Sequence, residues 1–231
     1  MSDSLFGRAR RASKRSPRYI AGRLRDIAAH RLRRPWSNIY PRLLTPGAVV
    51  RAAGAASVDE LWERQQRAPF FLTSSDRDVW VREFDARFPV QRAEIVAAAD
   101  RVLRHEFDLL GSGGVALGRA LPWHSDFKSG REWPIEYSPR LHYSELDRPS
   151  DIKVPWELSR SQHFTTLGQA YWLTGDERYA EEFAAEIGDW IARNPWAYGV
   201  NWACAMDVAL RAVSWIWGFH YMSGAKASAS P

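Results

Sequence analysis

Between Asp151 and His220 three stretches of helical periodicity follow one another, parted by two short breaks. No other feature constrains the chain as much. Pro155 suits a first helical turn, where a missing N–H costs little. The first helix is therefore expected from about Val154 to Leu173. Gly175 fits a left-handed stop, and Asp176 can cap the helix that follows. That second helix carries Tyr179, Phe183, Ile187 and Ile191 at i, i+4 spacing with Trp190 beside them, a stripe expected to be buried. Asn194-Pro195 ends it, and residues 196–200 lead into a third helix from about Trp202 to Tyr221. Met206, Ala209, Val213, Ile216 and Trp217 form its apolar side; Asp207, Arg211 and Ser214 form its polar side. Helices repeated through short turns build an array of α-hairpins or an (α/α) toroid, and spacing leaves both open.

Upstream, Gln91 to Phe107 has helical spacing, with Ile95, Ala98, Val102 and Leu103 in register. Pro89 is expected to stop a shorter helix that opens near Ser75 or Asp76 and carries Val79, Trp80 and Phe84. Ser57 and Glu60 have the spacing of a capping box for a helix reaching Gln66. Phe70-Phe71-Leu72 is a short apolar run. From Asp108 to Pro149 glycines and prolines alternate with Trp123, His124, Asp126, Trp133, Tyr137, His142 and Tyr143. This reads as a long aromatic loop region with short strands, and loops of that length are functional or packed on their own side chains.

The net charge of +5 conceals an asymmetry: residues 1–51 hold 13 Lys and Arg against two acids, and the remainder is net acidic. The basic character belongs to an arm, Arg/Ser-rich through residue 18, then amphipathic from Tyr19 to Arg34 with Ile20, Leu24, Ile27 and Ala28 on one side. Pro35, Pro41 and Pro46 are expected to interrupt helix formation beyond it. Such an arm stays solvated or meets an anionic surface; nucleic acid or membrane contact is the less favoured use. Twelve Trp imply large aromatic surfaces, most of them core. The single cysteine, Cys204, excludes an intramolecular disulfide and a Cys-based metal site. There is no apolar run long enough for a membrane span and no recognisable secretory signal, so a cytoplasmic location is expected. No His/Asp/Glu group has convincing metal spacing, and neither a cofactor nor a metal is expected.

Several spaced motifs occur in a characteristic order. Asp151-Ile152-Lys153-x-x-Trp156-Glu157-x-Ser159-Arg160 is followed by Leu173-Thr174-Gly175-Asp176-x-x-Tyr179-Ala180. Then come Asn194-Pro195, Gly199-Val200-Asn201-Trp202 and Met206-Asp207-Val208-Ala209-x-Arg211. Phe107-Asp108-Leu109-Leu110-Gly111, Trp123-His124-x-Asp126 and Trp133-Pro134 precede them. Over roughly residues 90–222 the chain resembles the heparinase II/III-like polysaccharide lyases. That resemblance implies an N-terminal (α/α) toroid followed by a β-sandwich, and cleavage of uronic-acid-containing polysaccharides by β-elimination. The reaction requires the C5 carboxylate to be neutralised, a base for the α-proton and an acid for the leaving oxygen. In the family an Asn-His motif of a later toroid helix, with Tyr and His beyond it, supplies these functions. The sequence ends at Pro231, before those positions. It is therefore expected to be the N-terminal portion of such a lyase, inactive alone, with the missing C-terminal half as a partner.

The expected organisation is a basic arm (1–50), helices and an aromatic loop region (51–150), the first helices of an incomplete toroid (151–222) and a flexible tail (223–231). Trp156, Arg160, Asn201, Trp202, Asp207 and Arg211 are the candidate substrate-binding residues for an anionic polysaccharide. Aromatic faces stack on sugar rings, and Arg binds carboxylates bidentately. The structural alternative pairs Glu157 with Arg160 and Asp207 with Arg211, and makes Asn201 a helix cap. His124, Asp126, His142, Tyr143 and His163 are acid–base material without an assigned role. A non-catalytic saccharide-binding or scaffold module is the competing function.

Overall fold

The computed structural model describes residues 16–71, 73–143 and 149–228. The Arg/Ser-rich start through residue 15, Leu72 of the apolar run and the last three residues of the tail lie outside them. The chain divides into two compact units, Met1–Thr45 and Pro46–Pro231.

Among the described residues of the first unit there is one helix, α1 (Pro17–Leu43). Ser16 opens it, its Oγ accepting from the Tyr19 N–H at 3.3 Å. The helix runs through Pro35 and Pro41, correcting the expected interruption. An interior proline costs roughly 3 kcal/mol by removing a hydrogen bond and crowding a carbonyl. Here both prolines are themselves exposed. Ile20 and Leu24 are exposed as well, and the Ile27 side chain lies outside the described residues.

The second unit is mainly helical: α2 (Pro46–Ala52), α3 (Val58–Gln66), α4 (Arg77–Arg87), α5 (Pro89–Leu103), α6 (Lys153–Ser159), α7 (His163–Thr174), α8 (Arg178–Arg193) and α9 (Ala205–Met222). Ser57 caps α3 as expected, accepting from the Glu60 N–H at 3.0 Å, while Glu60 returns the bond one residue earlier, to the Ala56 N–H. Pro89 opens α5 as well as closing α4. The expected helix from Gln91 to Phe107 ends at Leu103, because His105 takes a left-handed φ of 51°. The expected single helix from Val154 to Leu173 is two, α6 and α7, parted at Ser161 with φ 54°. Gly175 stops α7 at φ 73°, as its position implies.

Helix α7 is central: α5, α8 and α9 pack on it, and α4 touches its edge. Leu167 and Ala170 on α7, Ala99 on α5 and Met222 on α9 are wholly buried. Two glycines allow the close approach. A Cβ on Gly168 of α7 would sit 2.5 Å from the Tyr221 Cβ, and one on Gly218 of α9 would strike the Phe183 ring. The last carbonyls of α7 accept from Arg77, at 2.9 Å for Trp172 and 3.0 Å for Tyr171, and from Arg92 at 2.9 Å for Leu173. Cations suit the negative end of a helix.

The loop region contains two minimal antiparallel pairs. β1 (Glu106–Phe107) pairs with β2 (Val115–Ala116), Glu106 opposite Ala116. β3 (Ser125–Asp126) pairs with β4 (Arg131–Glu132), Asp126 opposite Arg131. Trp123, Trp133 and Tyr137 are buried, so the region packs on its own aromatics. Of the twelve Trp, four are buried (Trp123, Trp133, Trp172, Trp190) and three exposed (Trp36, Trp80, Trp196).

Two expected faces are corrected. On α8 the buried line is Tyr179, Phe183, Glu186 and Trp190, while Ile191 is 57% exposed. On α9 the assignment is inverted: Asp207, Arg211, Ser214 and Gly218 face inward, and Met206, Ala209, Val213 and Ile216 face outward. Asp207 and Arg211 meet Arg160 and the Ser159 carbonyl at the α6–α7 break, where hydrogen-bonding partners are favoured, and Gly218 admits the Phe183 ring of α8. Among the described residues no helix is long and apolar enough to cross a membrane.

Candidate functional site

The break between α6 and α7, the Val200–Trp202 turn and the first two turns of α9 bring together all six residues singled out from the sequence. The Trp156 indole on α6 donates to the Val200 carbonyl at 2.9 Å. Its ring stands edge-on to Tyr143, with centroids 5.6 Å apart. The Trp202 indole donates to the Asn194 carbonyl at 3.1 Å. Both residues are partly exposed.

Arg160 bridges two acids. Its Nε donates to Asp207 Oδ1 at 2.6 Å, and its Nη1 pairs with Glu157 one turn back. Asp207 is 1% exposed. It thus pairs across helices with Arg160, and not with Arg211 one turn along, as the i, i+4 spacing implied. Arg211 is buried between two indoles, its guanidinium 4.0 Å from the Trp190 ring centre and 5.3 Å from that of Trp202. It donates to the Asn201 carbonyl at 3.3 Å and lies 3.5 Å from that of Ser159. Burial pulls its pKa down to about 10, against the opposing pull of Asp207, so it stays charged at neutral pH.

Asn201 is wholly buried and does not cap α9, whose cap position is Cys204. Its amide donates to the Trp123 carbonyl at 2.7 Å and to Asn194 Oδ1 at 2.8 Å. It thereby ties the loop region to the end of α8. The loop is tied a second time at Asp126, which accepts from Lys128 N–H, Ser129 Oγ and Asp151 N–H at 2.9, 2.6 and 3.0 Å. Burial raises the Asp126 pKa, but these donors outweigh it and hold the carboxyl below its ordinary range. His124 is buried with Nε2 3.1 Å from the Arg193 carbonyl, and burial lowers its pKa. A Cβ on Gly199 (φ 79°) would strike its ring, so this close approach needs glycine.

The six residues therefore separate into two layers. Trp156, Arg160 and Trp202 are partly exposed; Asn201, Asp207 and Arg211 are buried, Asp207 bonding Arg160 and Arg211 lying over Trp202. A groove of about 540 Å³ opens beside this layer, lined by Gln162, Thr165 and Gln169 of the α7 side and by Val213, Ser214 and Trp217 of α9.

A second polar cluster escaped sequence reasoning. His105 Nε2 lies 2.8 Å from Glu182, and His163 Nε2 lies 2.7 Å from Glu186, which is 3% exposed. His105 and Glu182 are 77 residues apart in sequence, which hid the group. A signal existed: Glu182 and Glu186 are one turn apart, and Glu186 interrupts the apolar stripe of α8.

Two heparin-sulfate lyases are similar to parts of the chain. That of Bacteroides stercoris is 39% identical over 64 residues, 26% of this chain and 10% of the relative. That of Pedobacter heparinus is 28% identical over 112 residues, 48% of this chain and 14% of the relative. The matches thus span a small fraction of either relative's length. No solved structure matches the chain. The profile described as Heparinase II/III N-terminus matches residues 79–221, a stretch that includes the loop region, both polar clusters and helices α5 to α9. The chain belongs to the Heparinase II/III N-terminus family.

Proposed function

We propose that the chain is the opening portion of the (α/α) toroid of a lyase that cleaves uronic-acid-containing polysaccharide by β-elimination. The observation that carries this reading is the two-layered site: two partly exposed indoles and a guanidinium, each held from below by a buried partner. Trp156 and Trp202 would stack on sugar rings, and Arg160 would pair with a uronate carboxylate or sulfate. Asn201, Asp207 and Arg211 position them. The exposed apolar line Met206–Val213–Ile216 on α9 supports the toroid, since a further helix would cover it.

The reaction needs an acid and a base aimed at substrate. His124 is turned into the interior and His163 is bonded to Glu186. On this reading the 231-residue chain binds saccharide but does not turn it over, and the proton-transfer groups come from the rest of the lyase. The arm (1–50), the lead-in (51–150), the toroid portion (151–222) and the tail (223–231) are its proposed divisions.

The test is calorimetric titration with heparan sulfate and alginate oligosaccharides, alongside absorbance of the unsaturated uronate product. Binding at least tenfold weaker in Trp156→Ala, without product formation by the parent chain, is the expected pattern. Unchanged binding would remove Trp156 from the site, and robust product formation would overturn the inactivity.

One observation favours a second reading, a non-catalytic module that holds anionic polymer. Helix α1 displays Arg18, Arg25, Arg31, Arg33, Arg34 and Arg42 to solvent. Retention on heparin that survives Trp156→Ala but vanishes on deleting residues 1–34 would favour it, with affinity falling steeply as salt rises.

A further inference from the structure

The cluster on α8 sets two carboxylates, Glu182 and Glu186, against two imidazoles that are cationic only when protonated. Glu182 and Glu186 lie one turn apart on the same face, with His105 brought over them by the turn that ends α5. One ligand atom from each of the three residues falls within 4.8 Å of the others. His105 Nδ1 lies 2.6 Å from the Gly118 carbonyl, so Nδ1 carries the proton and Nε2 is the atom turned toward Glu182. A carbonyl or carboxylate on the far nitrogen is the usual support of a metal-binding imidazole. His163 holds Glu186 Oε2, leaving Oε1 buried without a hydrogen-bond partner. A buried carboxylate oxygen with no donor is costly, and a cation satisfies it. Glu182 and His105 are about one-fifth exposed, which provides an entry path and room for completing waters.

We propose that His105, Glu182 and Glu186 bind one divalent first-row transition cation, of the zinc or manganese type, clamping the turn after α5 to α8. One imidazole and two carboxylates suit such ions, whereas calcium favours six to eight oxygens. The two carboxylates neutralise the dication. His163 is the positioning residue that orients Glu186. The site is independent of saccharide binding, and its test does not involve it.

The experiment is calorimetric titration of the chelator-treated full chain with zinc chloride and manganese chloride, and with calcium chloride for comparison. One saturable site for zinc or manganese is expected, at least tenfold weaker in Glu182→Gln and in Glu186→Gln, and unaltered in His142→Ala. Hydrogen exchange should slow at residues 105–118 when the metal is added. Glu182 is partly exposed, so its substitution tests the site even if the Glu186 variant fails to fold. No saturable binding, equal affinity in Glu182→Gln, or preference for calcium would overturn the proposal.

Discussion

The two buried charge clusters of the second unit are built from similar parts and balanced differently. Around α9, Arg160 and Arg211 accompany Glu157 and Asp207, two permanent cations with two acids. Around α8, Glu182 and Glu186 pair, among the described residues, with His105 and His163, whose charge depends on protonation. Guanidinium does not titrate in the physiological range, so the first cluster is assembled whenever the chain is folded. The second is complete only with protons or a cation. A buried ion pair is weak evidence of net stabilisation, but removing one partner leaves the other exposed to the full cost of burial.

That contrast can be broken most forcefully at Arg211. Arg211→Ala should cost about 3–5 kcal/mol, because a cavity opens between Trp190 and Trp202 and carbonyls lose their donor. Urea denaturation of the variant measures it, and a loss below about 1 kcal/mol would show that the guanidinium is not a keystone. Gly168→Ala comes next, at about 1–3 kcal/mol from overpacking. It forces α9 away from α7 at Tyr221 and should loosen the cluster that α9 carries through Asp207 and Arg211. Gly188 faces open space on α8, so Gly188→Ala should be neutral or stabilise by up to about 1 kcal/mol. Glu186→Gln in metal-free buffer tests the other side of the comparison. It replaces a carboxylate whose buried Oε1 has no donor among the described residues, so its effect at neutral pH should stay within about 1 kcal/mol or be stabilising. A loss as large as that of Arg211→Ala would make the two clusters equivalent.

The smallest expected effect is on the acid limb of stability at Asp126 and His124, outside both charge clusters. Asp126 has a folded pKa below its ordinary 3.8, so its contribution is complete above that value and is lost as pH falls through the folded one. His124, lowered from 6.5 by burial, acts in the same direction: its contribution is complete above 6.5 and lost on acidification. Both sit on the Trp123–Asp126 segment that joins the loop region to α6 and α8. Melting temperatures measured from pH 7 to pH 3 should fall, and Asp126→Asn should flatten the lower part of that fall while lowering the neutral-pH value. Parallel curves for the two proteins would mean that Asp126 does not carry the acid response.

The helices were legible where local chemistry decided them. Ser57 and Glu60 announced a cap, and Gly175 announced a left-handed stop, because each acts on backbone groups within a few residues. The motif residues Trp156, Arg160, Asn201, Trp202, Asp207 and Arg211 were legible as a group, and the fold gathers them at one junction. Their division into surface and support was not legible. The i, i+4 rule put Asp207 on Arg211, and a helix 47 residues away supplied Arg160 instead. Local spacing says which side chains can meet on one helix, not which neighbour arrives with better geometry.

What this sequence determined by itself was its family, its helical class and where most helices begin, since these follow from periodicity, caps and ordered motifs. Tertiary structure alone decided which way α9 turns. Its apolar residues were the obvious inward face, yet Asp207, Arg211, Ser214 and Gly218 are turned inward. The partner surfaces offer a carbonyl and an arginine at the α6–α7 break and the closely approaching Phe183 ring of α8. A face is buried by what it meets, and hydrogen-bonding and small residues met that surface better than methionine, valine and isoleucine. The same principle brought His105 onto Glu182 and Glu186, from a turn whose strained backbone no periodicity announces.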